Sequence, residues 1–218
     1  MQMKAALKEM KTIVRSEWNS VIKRMAILVS VPIINIIYLI LNREQENTLI
    51  IKMKIDDLIQ FNKIFIIPYV AWYVYVVLFL FLLCIWDKKR YFRAVLSLNV
   101  GMLISYVIFF LLPTHVPRPE IVGTDILSRM VLWIYSNDNP YNCFPSIHVI
   151  NTIIINFFVC ASDQFGKWTK IICTLIGISI IMSTLYIKQH YFADVISGVV
   201  LAFGICYIFS KTNFHKHI

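Results

Sequence analysis

The chain has 218 residues, of which 59% are hydrophobic and only 15% charged, and its mean hydropathy is +0.71. That composition excludes an ordinary soluble domain and reads as an integral membrane protein. The formal net charge is +9; in such a chain it points to topology rather than to nucleic acid, because lysine and arginine gather on the cytoplasmic side of a membrane protein.

Residues 1–24 place Met3, Leu7, Met10, Val14 and Val21 at three-to-four spacing, with lysines between them. The spacing predicts an amphipathic helix on the inner leaflet, a partner-binding helix being the alternative. Six apolar runs follow: Met25–Leu41, Ile64–Trp86, Ala94–Leu112, Ile147–Ala161, Trp168–Ile187 and Ala193–Ser210. The expected fold is therefore all-α, a bundle of six transmembrane helices over residues 25–210, within one integral membrane domain that ends in a tail at 211–218. The first run has no small-residue cleavage pattern and is expected to remain as a span. Residues 48–63 are mixed in character and are expected to lie in the interface.

The connections set the orientation. Lys4, Lys8, Lys11, Arg15, Lys23 and Arg24 precede the first run. Lys88, Lys89, Arg90 and Arg93 lie between the second and third, Lys167 and Lys170 between the fourth and fifth, and Lys211 and Lys216 in the tail. Both termini are expected in the cytoplasm of a multi-pass cell-membrane protein. Cys84, Cys143, Cys160, Cys173 and Cys206 form no CxxC pair and no disulfide framework, and are expected to be structural. His215 and His217 belong to the basic tail and are expected to be solvated.

With that topology three polar segments fall on the extracytoplasmic face: "LPTHVPRPE", "NCFPSIHV" and "STLYIKQHYFADVISG". His190 and Asp194 are four apart, so on a helix they share a face. A carboxylate there fixes the tautomer of the ring and leaves the other nitrogen basic, as a nucleophilic histidine requires; a helix cap is the plain alternative. Pro145 suits a first helical turn, putting Ser146 and His148 where free backbone N–H groups bind anions. Ser146 adds a hydroxyl and His148 is a candidate general acid. Arg118, between two prolines, is a candidate bidentate phosphate ligand, and Lys188 a second cation or a snorkelling anchor.

The order Arg-Pro, Pro-Ser-x-His, His-x-x-x-Asp resembles the type 2 phosphatidic acid phosphatase superfamily, over about Pro113 to Gly198. The resemblance implies a metal-independent enzyme with no cofactor. His190 would attack phosphorus to form a phosphohistidine, Asp194 would orient it, and His148 would protonate the departing oxygen. Arg118 and Ser146 would hold the phosphoryl oxygens of a lipid phosphate. The chain departs from that pattern at three points. Leu111 stands where the family usually has a lysine, Ile147 replaces a glycine, and Ser183-Thr184 stands where Ser-Arg is usual. "FPSIH" and "KQHYFAD" also resemble the inositol phosphorylceramide synthase branch, which transfers a phosphorylated head group to an alcohol. The expected function is thus a lipid phosphatase acting on phosphatidate, phosphatidylglycerol phosphate or a polyprenyl pyrophosphate. The alternatives are a head-group phosphotransferase, a transporter with intramembrane ionisable groups, and a metal site built from His148, His190 and Asp194.

Overall fold

The computed structural model describes Thr12 and residues 16–211, so most of the expected N-terminal helix, and His215 and His217, lie outside the described residues. Among the described residues eight α-helices follow one another: α1 Trp18–Leu28, α2 Ser30–Leu41, α3 Ile66–Trp86, α4 Lys88–Leu111, α5 Ile126–Asn137, α6 Ile147–Ala161, α7 Lys167–Tyr186 and α8 Phe192–Lys211. Among the described residues there is no strand, only the isolated bridges Leu49 to Thr114 and His115 to Tyr141.

Five helical stretches are long and apolar enough to cross a membrane: Trp18–Leu41, Lys63–Trp86, Lys88–Leu111, Lys167–Tyr186 and Phe192–Lys211. They coincide with five of the six expected runs. The first and third begin earlier than hydropathy alone indicates, because charged residues at 23, 24, 88–90 and 93 continue the helices. The remaining run, the fourth in the chain, is α6, a shorter apolar helix of 15 residues, about 22 Å at 1.5 Å per residue against a hydrocarbon core of about 30 Å. It lies at the centre of the bundle and packs against α3, α4, α7 and α8. Val149, Ile150, Ile154, Ile155, Phe158 and Val159 fill the core from it.

Residues 48–63 form no amphipathic helix. They contain a short 3₁₀ turn at Lys54–Asp57 and lead into a second at Lys63–Phe65. A helix absent from the expected list, α5, follows Asp125, whose carboxylate accepts the Leu127 and Ser128 N–H groups. Lys63 reaches the same carboxylate at 2.5 Å. At the opposite end Asp87 starts α4 by accepting the Arg90 N–H.

Close approach of α8 to the start of α6 depends on Gly198. A Cβ there would meet the Ser146 carbonyl oxygen at 3.0 Å and Val149 Cβ at 3.1 Å. Small residues let helix backbones meet where no water drives association. Here the contact aligns the Ser146 N–H with the Asp194 carbonyl, 3.1 Å away.

Candidate active site

The three polar segments meet at one end of the bundle, beside the 48–63 loop. Thr114 is their knot: its hydroxyl accepts the Cys143 and Phe144 N–H groups, and its carbonyl accepts that of Asn142. The Leu49 N–H donates to Pro113, and the His115 N–H to Leu49.

After α7 the chain turns sharply. The Thr184 carbonyl accepts from both the Gln189 and the His190 N–H, and Lys188 takes φ of +54°, a region L-residues seldom adopt. The Lys188 ammonium donates to the Asp56 and Ile59 carbonyls. Burial holds its pKa below the ordinary lysine value. Asp56 in turn accepts the Phe192 N–H at 2.8 Å. The 48–63 loop is thereby buckled to the turn that carries His190.

His190 precedes α8 instead of lying on it, yet Asp194 still reaches it. Asp194 Oδ2 lies 3.3 Å from His190 Nδ1 and accepts the Tyr191 N–H at 2.8 Å. With Asp194 ionised its carboxylate only accepts, an arrangement that puts the ring proton on Nδ1 and leaves Nε2 its lone pair. The cap reading and the catalytic reading of His-x-x-x-Asp describe one oxygen.

Ser146 caps α6. It is fully buried, and its hydroxyl accepts the Val149 N–H at 3.5 Å. His148 sits in the first turn, its ring centroid 4.8 Å from Tyr69 and 4.4 Å from Trp72. The His190 ring is 6.0 Å away, edge to face. His148 Nε2 is buried without a hydrogen-bond partner.

Arg118 does not present a free fork. One terminal nitrogen donates to the Tyr135 and Asp138 carbonyls, and the other to Gln189 Oε1 at 2.6 Å. Its plane lies 4.4 Å from the Tyr135 ring centroid. Leu111 is exposed, and the Thr184 hydroxyl is turned to the Ile181 carbonyl, so neither supplies a cation.

A cavity of about 180 Å³ opens between these elements. His148, His190 and Gln189 form part of its wall, with the rings of Tyr38, Trp72, Tyr73 and Phe109 and a rim of asparagines. Arg118, Ser146 and Lys188 do not line it, and Asp138 does. The Asp138 carboxylate accepts from the Tyr38 hydroxyl and the Asn42 amide. Cys143 also borders the cavity, but burial, followed by the carboxylates of Asp194 and Asp138, pushes its thiol well up and keeps it protonated. Among the described residues no group of three or more His, Cys, Asp or Glu is arranged to hold a metal ion. Asp194 sits behind His190, on the nitrogen away from Nε2.

Sequence reasoning missed Gln189, Tyr69, Trp72 and Asp138. Gln189 lies beside a candidate nucleophile, but its importance comes from Arg118, 71 positions away. The two rings sit inside an apolar run whose composition conceals them.

A family model described as the PAP2 superfamily matches residues 55–208. No curated protein matches the chain.

Proposed function

Because the chain belongs to the PAP2 superfamily, we propose that it is a metal-independent membrane lipid phosphatase or phosphotransferase working through a phosphohistidine at His190. The observation that carries this reading is the Asp194–His190 pair, 3.3 Å apart, facing a cavity that His148 also borders. His190 Nε2 attacks phosphorus while Asp194 holds the Nδ1 proton and stabilises the ring as charge develops. His148 protonates the departing oxygen and then takes a proton from the acceptor. Arg118 and Ser146 support the cradle from behind: Arg118 holds Gln189, and Ser146 fixes the turn that bears His148. Lys188 braces the His190 turn.

Hydrolysis of a lipid phosphate or pyrophosphate on the extracytoplasmic face is the first reading. Phosphatidate, phosphatidylglycerol phosphate and polyprenyl pyrophosphate are the substrates to try. Transfer of a phosphorylated head group to an alcohol is the second. One observation favours it: among the described residues no lysine or arginine lines the cavity.

Purified protein in detergent, with EDTA present, is offered each lipid with and without an alcohol acceptor. Phosphate and new lipids are quantified. His190→Ala is expected to lower turnover about a thousandfold or more, and His148→Ala about a hundredfold to ten-thousandfold. Full activity in His190→Ala would overturn the phosphohistidine.

A further inference from the structure

We propose that Gln189 is the donor that grips a phosphoryl oxygen, and that the site therefore takes a singly charged lipid phosphodiester in preference to a doubly charged phosphomonoester. The inference rests on the phosphoryl-transfer chemistry common to both readings above and separates their substrates by charge.

Amide oxygen and nitrogen are told apart by their partners. A guanidinium only donates, so the Gln189 atom 2.6 Å from Arg118 is the oxygen. The NH₂ group then points the other way. Gln189 is only 3% exposed, borders the cavity, and its Nε2 has no hydrogen-bond partner. A buried donor without an acceptor is costly unless a ligand satisfies it. His148 Nε2 is a second buried atom on the same wall without a hydrogen-bond partner. Gln189 thus offers its N–H to a phosphoryl oxygen beside the proposed nucleophile, and a protonated His148 is left to face the leaving oxygen.

The charge available is small. Arg118 reaches the cavity only through the amide that it polarises, its other terminal nitrogen being held by the Tyr135 and Asp138 carbonyls. Lys188 is turned to the Asp56 and Ile59 carbonyls. The carboxylate of Asp138 lies on the opposite side of the balance. A second negative charge on the phosphoryl group would enter a low-dielectric cavity in which the charge of a protonated His148 is already set against the carboxylate of Asp138. A diester brings one charge, spread over two oxygens.

The chemistry then balances. His190 Nε2 forms the P–N bond as the P–O bond to the lipid alkoxide breaks, and the alkoxide takes the proton of His148 Nε2. An alcohol or water next gives its proton to His148 as its oxygen bonds to phosphorus and the P–N bond breaks. An alcohol yields a new phosphodiester, and water yields the head-group phosphate.

The test compares phosphatidylglycerol with phosphatidate of the same acyl chains, using full-length protein in detergent and mass spectrometry of the products. The wild type is expected to favour the diester in kcat/KM by about tenfold or more. Gln189→Glu keeps an acceptor for Arg118 but removes the donor, and should lower diester kcat/KM about a hundredfold with an unchanged thermal midpoint. Gln189→Met is the second variant. Preference for phosphatidate, or full diester turnover in Gln189→Glu, would overturn the inference and leave phosphoryl transfer standing. If the wild type turns over neither these two lipids nor the others named above, the phosphoryl-transfer reading falls. Calorimetric binding of dihexanoyl phosphatidylglycerol and dihexanoyl phosphatidate to His190→Ala then decides this inference separately. The diester must bind more tightly, and Gln189→Glu must weaken it about tenfold; any other result refutes it.

Discussion

Asp194 does two jobs through one oxygen, and the jobs can be separated by substitution. Oδ2 accepts the N–H of Tyr191, the residue that precedes α8, and the Nδ1 proton of His190. In Asp194→Asn the amide oxygen can still accept from Tyr191. That oxygen is the one that also faces Nδ1, so the ring tautomer is kept, but the negative charge that stabilises the imidazole as it attacks phosphorus is lost. Asp194→Asn is expected to lower kcat by about a hundredfold to ten-thousandfold while melting like the wild type. Asp194→Ala should lose both activity and about 1 kcal/mol of cap stability. Kinetics and thermal unfolding on the same two samples check this, and equal melting losses in both would show that the cap, not the charge, dominates. Much of this was legible because His-x-x-x-Asp and Pro-Ser-x-His are local patterns. The partners of Arg118 were not, since nothing in "VPRPE" tells which carbonyls will surround a guanidinium. Ser146 likewise reads as a free hydroxyl until the Val149 N–H above it is seen.

Helices were legible where hydropathy is sustained and hidden where a cap defines them. Long runs such as Ile66–Trp86 cannot pair their backbone in lipid except as helix, so their periodicity hardly matters. By contrast α5 rests on Asp125 and on a stripe of Ser128, Val131 and Ile134 buried three apart, a signal short enough to pass for a loop. Asp87 has a similar role between α3 and α4. Burial alone pushes its carboxyl up, but the Ser162 hydroxyl, the Arg90 N–H and the Arg90 guanidinium more than reverse that and leave it below the ordinary value. A depressed pKa in the folded state gives stability that is present above the unfolded carboxyl pKa of about 3.9 and lost as pH falls through the folded value. Asp87→Ala is therefore expected to cost about 1–2 kcal/mol at pH 7. The gap from the wild type should narrow as the pH falls below about 4. Detergent-solubilised unfolding across that pH range measures it, and a gap that widens in acid would contradict the assignment.

At the scale of the whole molecule, the short central helix and the site explain each other. A helix of 15 residues is shorter than a bilayer core is thick, and backbone left bare in lipid is tolerated only where protein or a polar recess covers it. Four helices surround α6, and its first turn opens into the cavity with the two histidines. The recess thus lies where α6 begins, walled by Trp72 of α3 and Phe109 of α4 beside the two histidines.

Which leaflet supplies the lipid follows from charge. The site end carries Arg43, Lys52, Lys54, Lys63, Arg118, Arg129 and Lys188, whereas the other end carries Lys23, Arg24, Lys88, Lys89, Arg90, Arg93, Lys167, Lys170 and Lys211, with four of them clustered in the first turns of α4. Positive charge is retained in the cytoplasm, so the site end should face outward. Two exposed positions report on this. Val122 is 87% exposed at the site end, and Asp163, whose side chain is 88% exposed, lies in the turn between α6 and α7. Of the native cysteines Cys84, Cys143, Cys173 and Cys206 are buried, which leaves little background beyond half-buried Cys160. A membrane-impermeant maleimide is expected to label Val122→Cys on intact cells and Asp163→Cys only after permeabilisation. The reverse pattern would turn the cavity toward the cytoplasm, and the substrate would then have to come from the inner leaflet.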